Sequence, residues 1–102
     1  MGSLAVVTSA VMANGRYADA IGWGVDVAQH VEKLTGMTTA FLTNEFGPFG
    51  RVTWIGVLPN AAAADASSAT VNGDADYLTK LHHAADLFLP GSGHRTLLTR
   101  VG

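Results

Sequence analysis

The stretch from Leu4 to Met12 carries no charge, and both of its alternating sets are largely apolar: Leu4, Val6, Ala10 and Met12 on one side, Ala5, Val7 and Val11 on the other. Such a pattern predicts a strand covered on both faces. Asn14-Gly15 ends it as a turn. From Arg16 to Thr35 the period changes. Ala20, Ile21, Gly24, Val27, Ala28, Val31 and Leu34 form an apolar stripe at helical spacing, with Asp19, Asp26, His30 and Lys33 opposite. Gly36 follows as a C-terminal cap. Gly22 and Gly24 weaken this helix, which suggests close packing or open space beside Trp23.

Thr38 to Phe46 and Arg51 to Leu58 are β-prone and flank Gly47-Pro48-Phe49-Gly50, a tight connection; together they predict a hairpin. Ala61 to Val71 is an alanine-rich helix. Asn72-Gly73-Asp74 is a break, and a further helical stretch opens at Asp74 or Ala75 and runs to about Phe88, with Leu78, Leu81, Ala85 and Phe88 as its buried stripe. Pro90-Gly91-Ser92-Gly93 ends it, and Thr96 to Val101 closes the chain as a strand. The order β-α-β-β-α-β is the ferredoxin-like split βαβ arrangement, an α+β fold with a four-stranded antiparallel sheet and helices on one face. The second face of that sheet is apolar on the first strand and needs a cover. A second copy of the sheet supplies one, closing a barrel and removing edges.

Length and composition narrow the function. One hundred and two residues make a single domain, 1–102. Hydrophobic residues reach 48% and charged residues only 14%, against about 25% charged in an ordinary soluble domain. This excludes disorder and again points to a covering partner chain. The six basic residues are scattered and never adjacent, and the net charge is -2, so no basic stripe exists for nucleic acid. With no cysteine there is no disulfide framework, zinc ribbon or thiol nucleophile, and the expected compartment is the cytoplasm. The apolar run at Leu4 to Ala13 lacks a basic flank and is too short for a membrane span, so no membrane association is expected.

The hairpin Asn44-Glu45-Phe46-Gly47-Pro48-Phe49-Gly50-Arg51-Val52-Thr53-Trp54 and the segment from Asp76-Tyr77 through Ala84-Ala85-Asp86-Leu87-Phe88 carry a resemblance. In them the chain resembles the dimeric α/β-barrel superfamily, more particularly its antibiotic-biosynthesis-monooxygenase and NIPSNAP-like branches. The resemblance implies homodimers packed sheet to sheet, each subunit holding a pocket between sheet and helices. It implies oxidation of phenolic or quinol-like substrates without a cofactor in some members. Others degrade haem, cyclise polyketides or have no known reaction. Members of the first two kinds often use a strand-one asparagine, a strand-three tryptophan and a last-helix histidine. Here strand one carries Thr8 and Ser9, with Asn14 only at its end. Trp54 stands two residues before the usual place, which Gly56 occupies, and His82 fits.

His82 and His83 point about 100° apart on a helix. His82 shares a side with Leu78 and Ala85 and is expected inward, as a proton acceptor, a haem ligand or a buried histidine satisfied by the backbone. His83 is expected to face water. Trp54 alternates with Val52, Gly56 and Leu58. Gly56 beside it leaves a hollow suited to a flat ligand, unless the indole is simply core. Trp23 lies at a polar border and suits a pocket mouth or an interface. Asp26 and His30 form an i, i+4 pair. Arg51 or Thr53 is a candidate to stabilise oxyanion charge. His82, His83 and Asp86 fall short of a metal set, so no metal is expected. Gly91-Ser92-Gly93-His94-Arg95-Thr96 follows a helix and precedes a strand, the reverse of a phosphate-binding loop, and is read as a loop, not a phosphate cradle. Gly22-Trp23-Gly24 fails as a dinucleotide fingerprint because Val27 replaces its last glycine.

The sequence thus predicts a homodimer with a pocket for a small apolar or aromatic ligand. His82 is the expected catalytic base, and Trp54, Trp23, Arg51 and Thr53 the expected substrate contacts. The expected activity is a cofactor-independent monooxygenase. The alternatives are a non-catalytic NIPSNAP-like module, a haem-binding variant or a polyketide-cyclase-type member.

Overall fold

The computed structural model describes residues 3–44 and 49–101. The expected Gly47-Pro48 turn and the Phe46 end of its first strand lie outside the described residues. The elements are β1 (Leu4–Val11), α1 (Tyr17–Thr35), β2 (Thr39–Thr43), β3 (Arg51–Leu58), α2 (Ala61–Asn72), α3 (Ala75–His83) and β4 (His94–Thr99). The strands form one antiparallel sheet in the order β2-β3-β1-β4. The most apolar strand, β1, is therefore central, as its two apolar faces required. The ferredoxin-like α+β arrangement is met, with the alanine-rich segment adding its own helix before the last one.

The register is set by β1, which pairs Thr8 with Trp54 of β3 and with Arg95 of β4. The helix-facing side of the sheet carries Leu4, Val52 and Leu58, all buried. Helix α1 lies on this side with Ala20, Gly24, Val27 and Ala28 buried. It ends at Gly36, which adopts the left-handed conformation (φ 72°) and donates its N–H to Glu32. Gly24 is the point of closest approach. A Cβ there would run into the ring of Phe41 on β2, so only glycine lets the helix backbone rest on that side chain.

The last helix is shorter than its periodicity predicts. It stops at His83, and residues 84–87 form turns. Leu87 enters the core, and Phe88 bridges to Met12. The Ala13 N–H donates to Leu87 and the Leu89 N–H to Val11. These hydrogen bonds extend the end of β1 and require an extended chain, which overrides helical propensity. Ser92 anchors the following loop, accepting from the Val11 N–H at 3.0 Å and donating to the Leu89 carbonyl. Strand β4 consequently begins at His94 and ends at Thr99, two residues earlier at each end than its apolar run suggests.

Candidate functional site: a cavity between sheet and helices

Strand pairing lays out the floor of the cavity in rows. Arg95, Thr8, Trp54 and Phe41 face one another across all four strands, and Leu97, Val6, Gly56 and Thr39 make the next row. Trp23, Val27, Ala28 and Val31 of α1 form part of the roof. Helix α2 adds Ala64, Asp65, Ser67 and Val71, and α3 adds Tyr77 and Leu81. Between floor and roof lies a cavity of about 410 Å³, a size ordinary for a small-molecule site.

Trp54 and Trp23, which line the cavity, belong to a tight aromatic cluster whose other members, Phe41 and Phe88, lie behind them. Trp54 packs on Phe41 with centroids 4.9 Å apart and meets Trp23 edge to face at 5.9 Å; Phe88 touches both indoles. Both indole N–H groups are already used. Trp54 Nε1 donates to the Gly24 carbonyl at 3.1 Å, and Trp23 Nε1 to the Lys80 carbonyl at 2.8 Å. Trp23 and Trp54 thus offer a ligand their ring surfaces and no donor. The hollow expected above Gly56 is occupied. The thioether of Met37 lies over it, close enough that a Cβ on residue 56 would stand 2.6 Å from the sulfur.

The polar contribution from the floor is concentrated at Arg95. Its Nε donates to Thr8 Oγ1 at 3.2 Å, and among the described residues no carboxylate forms an ion pair with it. Sequence reasoning missed Arg95, because its place beside Thr8 depends on the β1–β4 register. The sequence reading takes Arg95 in as part of the Gly91-to-Thr96 loop and gives it no role of its own.

Three expected site residues are placed elsewhere. His82 is exposed and outside the cavity. The inward side of α3 carries Tyr77 and Lys80, whereas Leu78 and His82 lie on the exposed side. That rotation is fixed by polar ties. Asp74 caps the helix by accepting from the Tyr77 N–H at 2.8 Å and meets His30 Nε2 at 2.8 Å. Lys80 reaches Asp26 at 2.5 Å. Asp26 and His30 thus each bind α3 instead of acting as a pair within α1. The His30 hydrogen bond, followed by the Tyr77 N–H, holds the Asp74 carboxyl below its ordinary value of 3.8. Arg51 and Thr53 lie on the other sheet face, since the alternation that sends Trp54 toward the helices sends its odd-numbered neighbours away. Thr53 Oγ1 donates to Asn44 Oδ1 at 3.4 Å. Arg51 Nε is buried with no hydrogen-bond partner.

A histidine-ligated haem does not fit this cavity, because its lining includes no histidine. Among the described residues no group of three or more metal-binding side chains is assembled. Asp86, part of the weak histidine cluster, is bound to Arg16 at 2.7 Å. No helix among the described residues is long and apolar enough to cross a membrane.

No family model matches the chain, and no curated protein matches it. Solved structures do. An uncharacterized NIPSNAP domain protein from Burkholderia xenovorans superposes with a TM-score of 0.81 at 10% identity, covering 96% of this chain and 94% of that one. A nipsnap family protein of unknown function from Agrobacterium tumefaciens gives 0.74 at 14% identity, covering 98% and 89%. SnoaB, a cofactor-independent oxygenase from Streptomyces nogalater, gives 0.75 at 13% identity, covering 100% and 96%. The chain shares the fold of these proteins over nearly its whole length, which meets the resemblance read from the sequence.

Proposed function

We propose that the chain binds a flat, largely apolar phenolic or quinol-type molecule in this cavity and promotes its oxygenation by O2 without a cofactor. The observation that carries the reading is Arg95, a cation that pairs with no carboxylate among the described residues, set in the same cross-strand row as Trp54 on the floor of a largely apolar cavity. A guanidinium beside a phenol favours the phenolate. An electron-rich carbanion of this kind reduces O2 itself. For an anthrone-type CH2 group, one oxygen atom becomes the new ring carbonyl, and the other leaves as water with both hydrogens. The protein's share is to hold the ring against Trp54 and Trp23, exclude water and stabilise the oxyanion at Arg95 and Thr8. SnoaB, described as a cofactor-independent oxygenase, supports this reading through its shared fold.

Binding without turnover is the second reading. The absence of histidine from the lining favours it, and the NIPSNAP neighbours of unknown function are compatible with it. Oxygen uptake with anthrone, in the presence of a chelator, separates the two. The first reading predicts uptake above the uncatalysed rate, reduced about a hundredfold by Arg95→Leu and unchanged by His82→Ala. Binding of anthrone with no added uptake establishes the second.

The proposed assembly is a homodimer joined through the sheet face that carries no helices. That face presents Leu42, Val57 and Leu98, each 44% exposed or more. The cysteine-free sequence suits a cytoplasmic protein.

A further inference from the structure

We propose that Met37 is a movable plug that sets how long a ligand the cavity accepts, and that the ligand carries an apolar extension directed at Gly56. The proposal rests on the small-molecule reading above and assigns that site a length determinant. Met37 follows the α1 cap, and its backbone is held on both sides. Its N–H donates to Thr35 Oγ1 at 3.1 Å, and its carbonyl accepts from Thr39 Oγ1 at 3.0 Å. The side chain is therefore delivered from a fixed point, while its three torsions stay adaptable.

The thioether ends on bare β3 backbone. A Cβ at Gly56 would stand 2.6 Å from Met37 Sδ and 2.8 Å from Cε. Gly56 thus leaves a socket one side chain deep, and Met37 fills it. Both residues line the cavity, and Gly56 lies one strand row away from Arg95, Thr8 and Trp54. A phenolic oxygen at Arg95 lets an apolar extension of the molecule run across the sheet toward Gly56, Met37 and Leu58. Next to Met37 in the chain, Gly36 is exposed and has nothing within 4 Å of a would-be Cβ.

The test is a binding series of para-alkylphenols, from methyl to octyl, followed by tryptophan emission. Affinity in the wild-type chain rises about fourfold per methylene while each carbon is buried, then levels off. In Met37→Ala the levelling point moves out by about three carbons, the length of side chain removed beyond Cβ. In Gly56→Ala it moves to shorter chains, because the new methyl pushes the thioether into the cavity. Met37→Leu, which refills the socket, stays near wild type. The same levelling point in all four proteins overturns the plug while leaving the cavity reading intact. If no member of the series binds the wild-type chain, the cavity reading fails and the plug with it. Should Met37→Ala not fold, the comparison of Gly56→Ala with Met37→Leu decides between the same outcomes.

Discussion

Gly24 and Phe41 show how much of the site rests on a missing methyl group. The ring of Phe41 lies where the Gly24 side chain would begin, and the Gly24 carbonyl receives the Trp54 indole N–H. Gly24→Ala gains helix propensity, about 1 kcal/mol, yet overpacks this contact at a cost of roughly 1–3 kcal/mol. The expected outcome is a lower urea midpoint together with altered Trp54 emission; a higher midpoint with unchanged emission contradicts the packing account. Trp54 and its buried neighbours were legible in the sequence because period two along β3 is unambiguous. The same period places Arg51 and Thr53 on the far face, so a substrate role for them beside Trp54 was already at odds with the alternation. Arg95 and Met37 were not legible. One depends on how β4 registers on β1, and the other on where a flexible thioether comes to rest over a glycine.

Helix α3 shows that polar ties, not hydrophobic periodicity alone, orient a short element. Its Leu78, Leu81 and Ala85 stripe predicted His82 inward, but Leu78 is 50% exposed and Leu81 41%. His30 to Asp74, Asp26 to Lys80 and Trp23 to the Lys80 carbonyl fix the rotation instead. Such ties pair residues 44 to 57 positions apart, which no reading of local spacing recovers. They carry a pH signature. A carboxyl held below its ordinary value in the folded state gives stability that is complete above that value. The contribution is lost as the pH falls through the lowered one. The Asp74 contribution is accordingly full above pH 3.8 and disappears on further acidification. Asp74→Asn, which keeps a capping oxygen, should flatten the acid limb of the stability curve below that pH. Parallel limbs for the two proteins would show that the His30 contact does not stabilise the fold.

At the scale of the whole molecule, the β1 pattern was the most informative signal in the sequence. Its two apolar faces place it at the centre of the sheet and ask for cover on both sides. Helices cover one side, and the other presents Val57 and Leu98, each more than half exposed. The dimer proposal predicts that Leu98→Arg lowers the sedimentation coefficient to that of a monomer while leaving the far-ultraviolet circular dichroism unchanged. A wild-type chain that sediments as a monomer at high concentration contradicts it. The element order and the sheet were legible because burial imposes period and turn chemistry. The cavity's chemistry was not, because it arises where three helices and four strands meet. The central claim is that this cavity holds a phenolic ring with its oxygen at Arg95. The most direct measurement is a pH titration of 4-nitrophenol absorbance in the presence of saturating protein. The account predicts that the phenolate band of the bound probe appears at lower pH than in free solution, and that Arg95→Leu abolishes the shift. A bound probe that ionises at higher pH than free, or a shift that survives in Arg95→Leu, would contradict it.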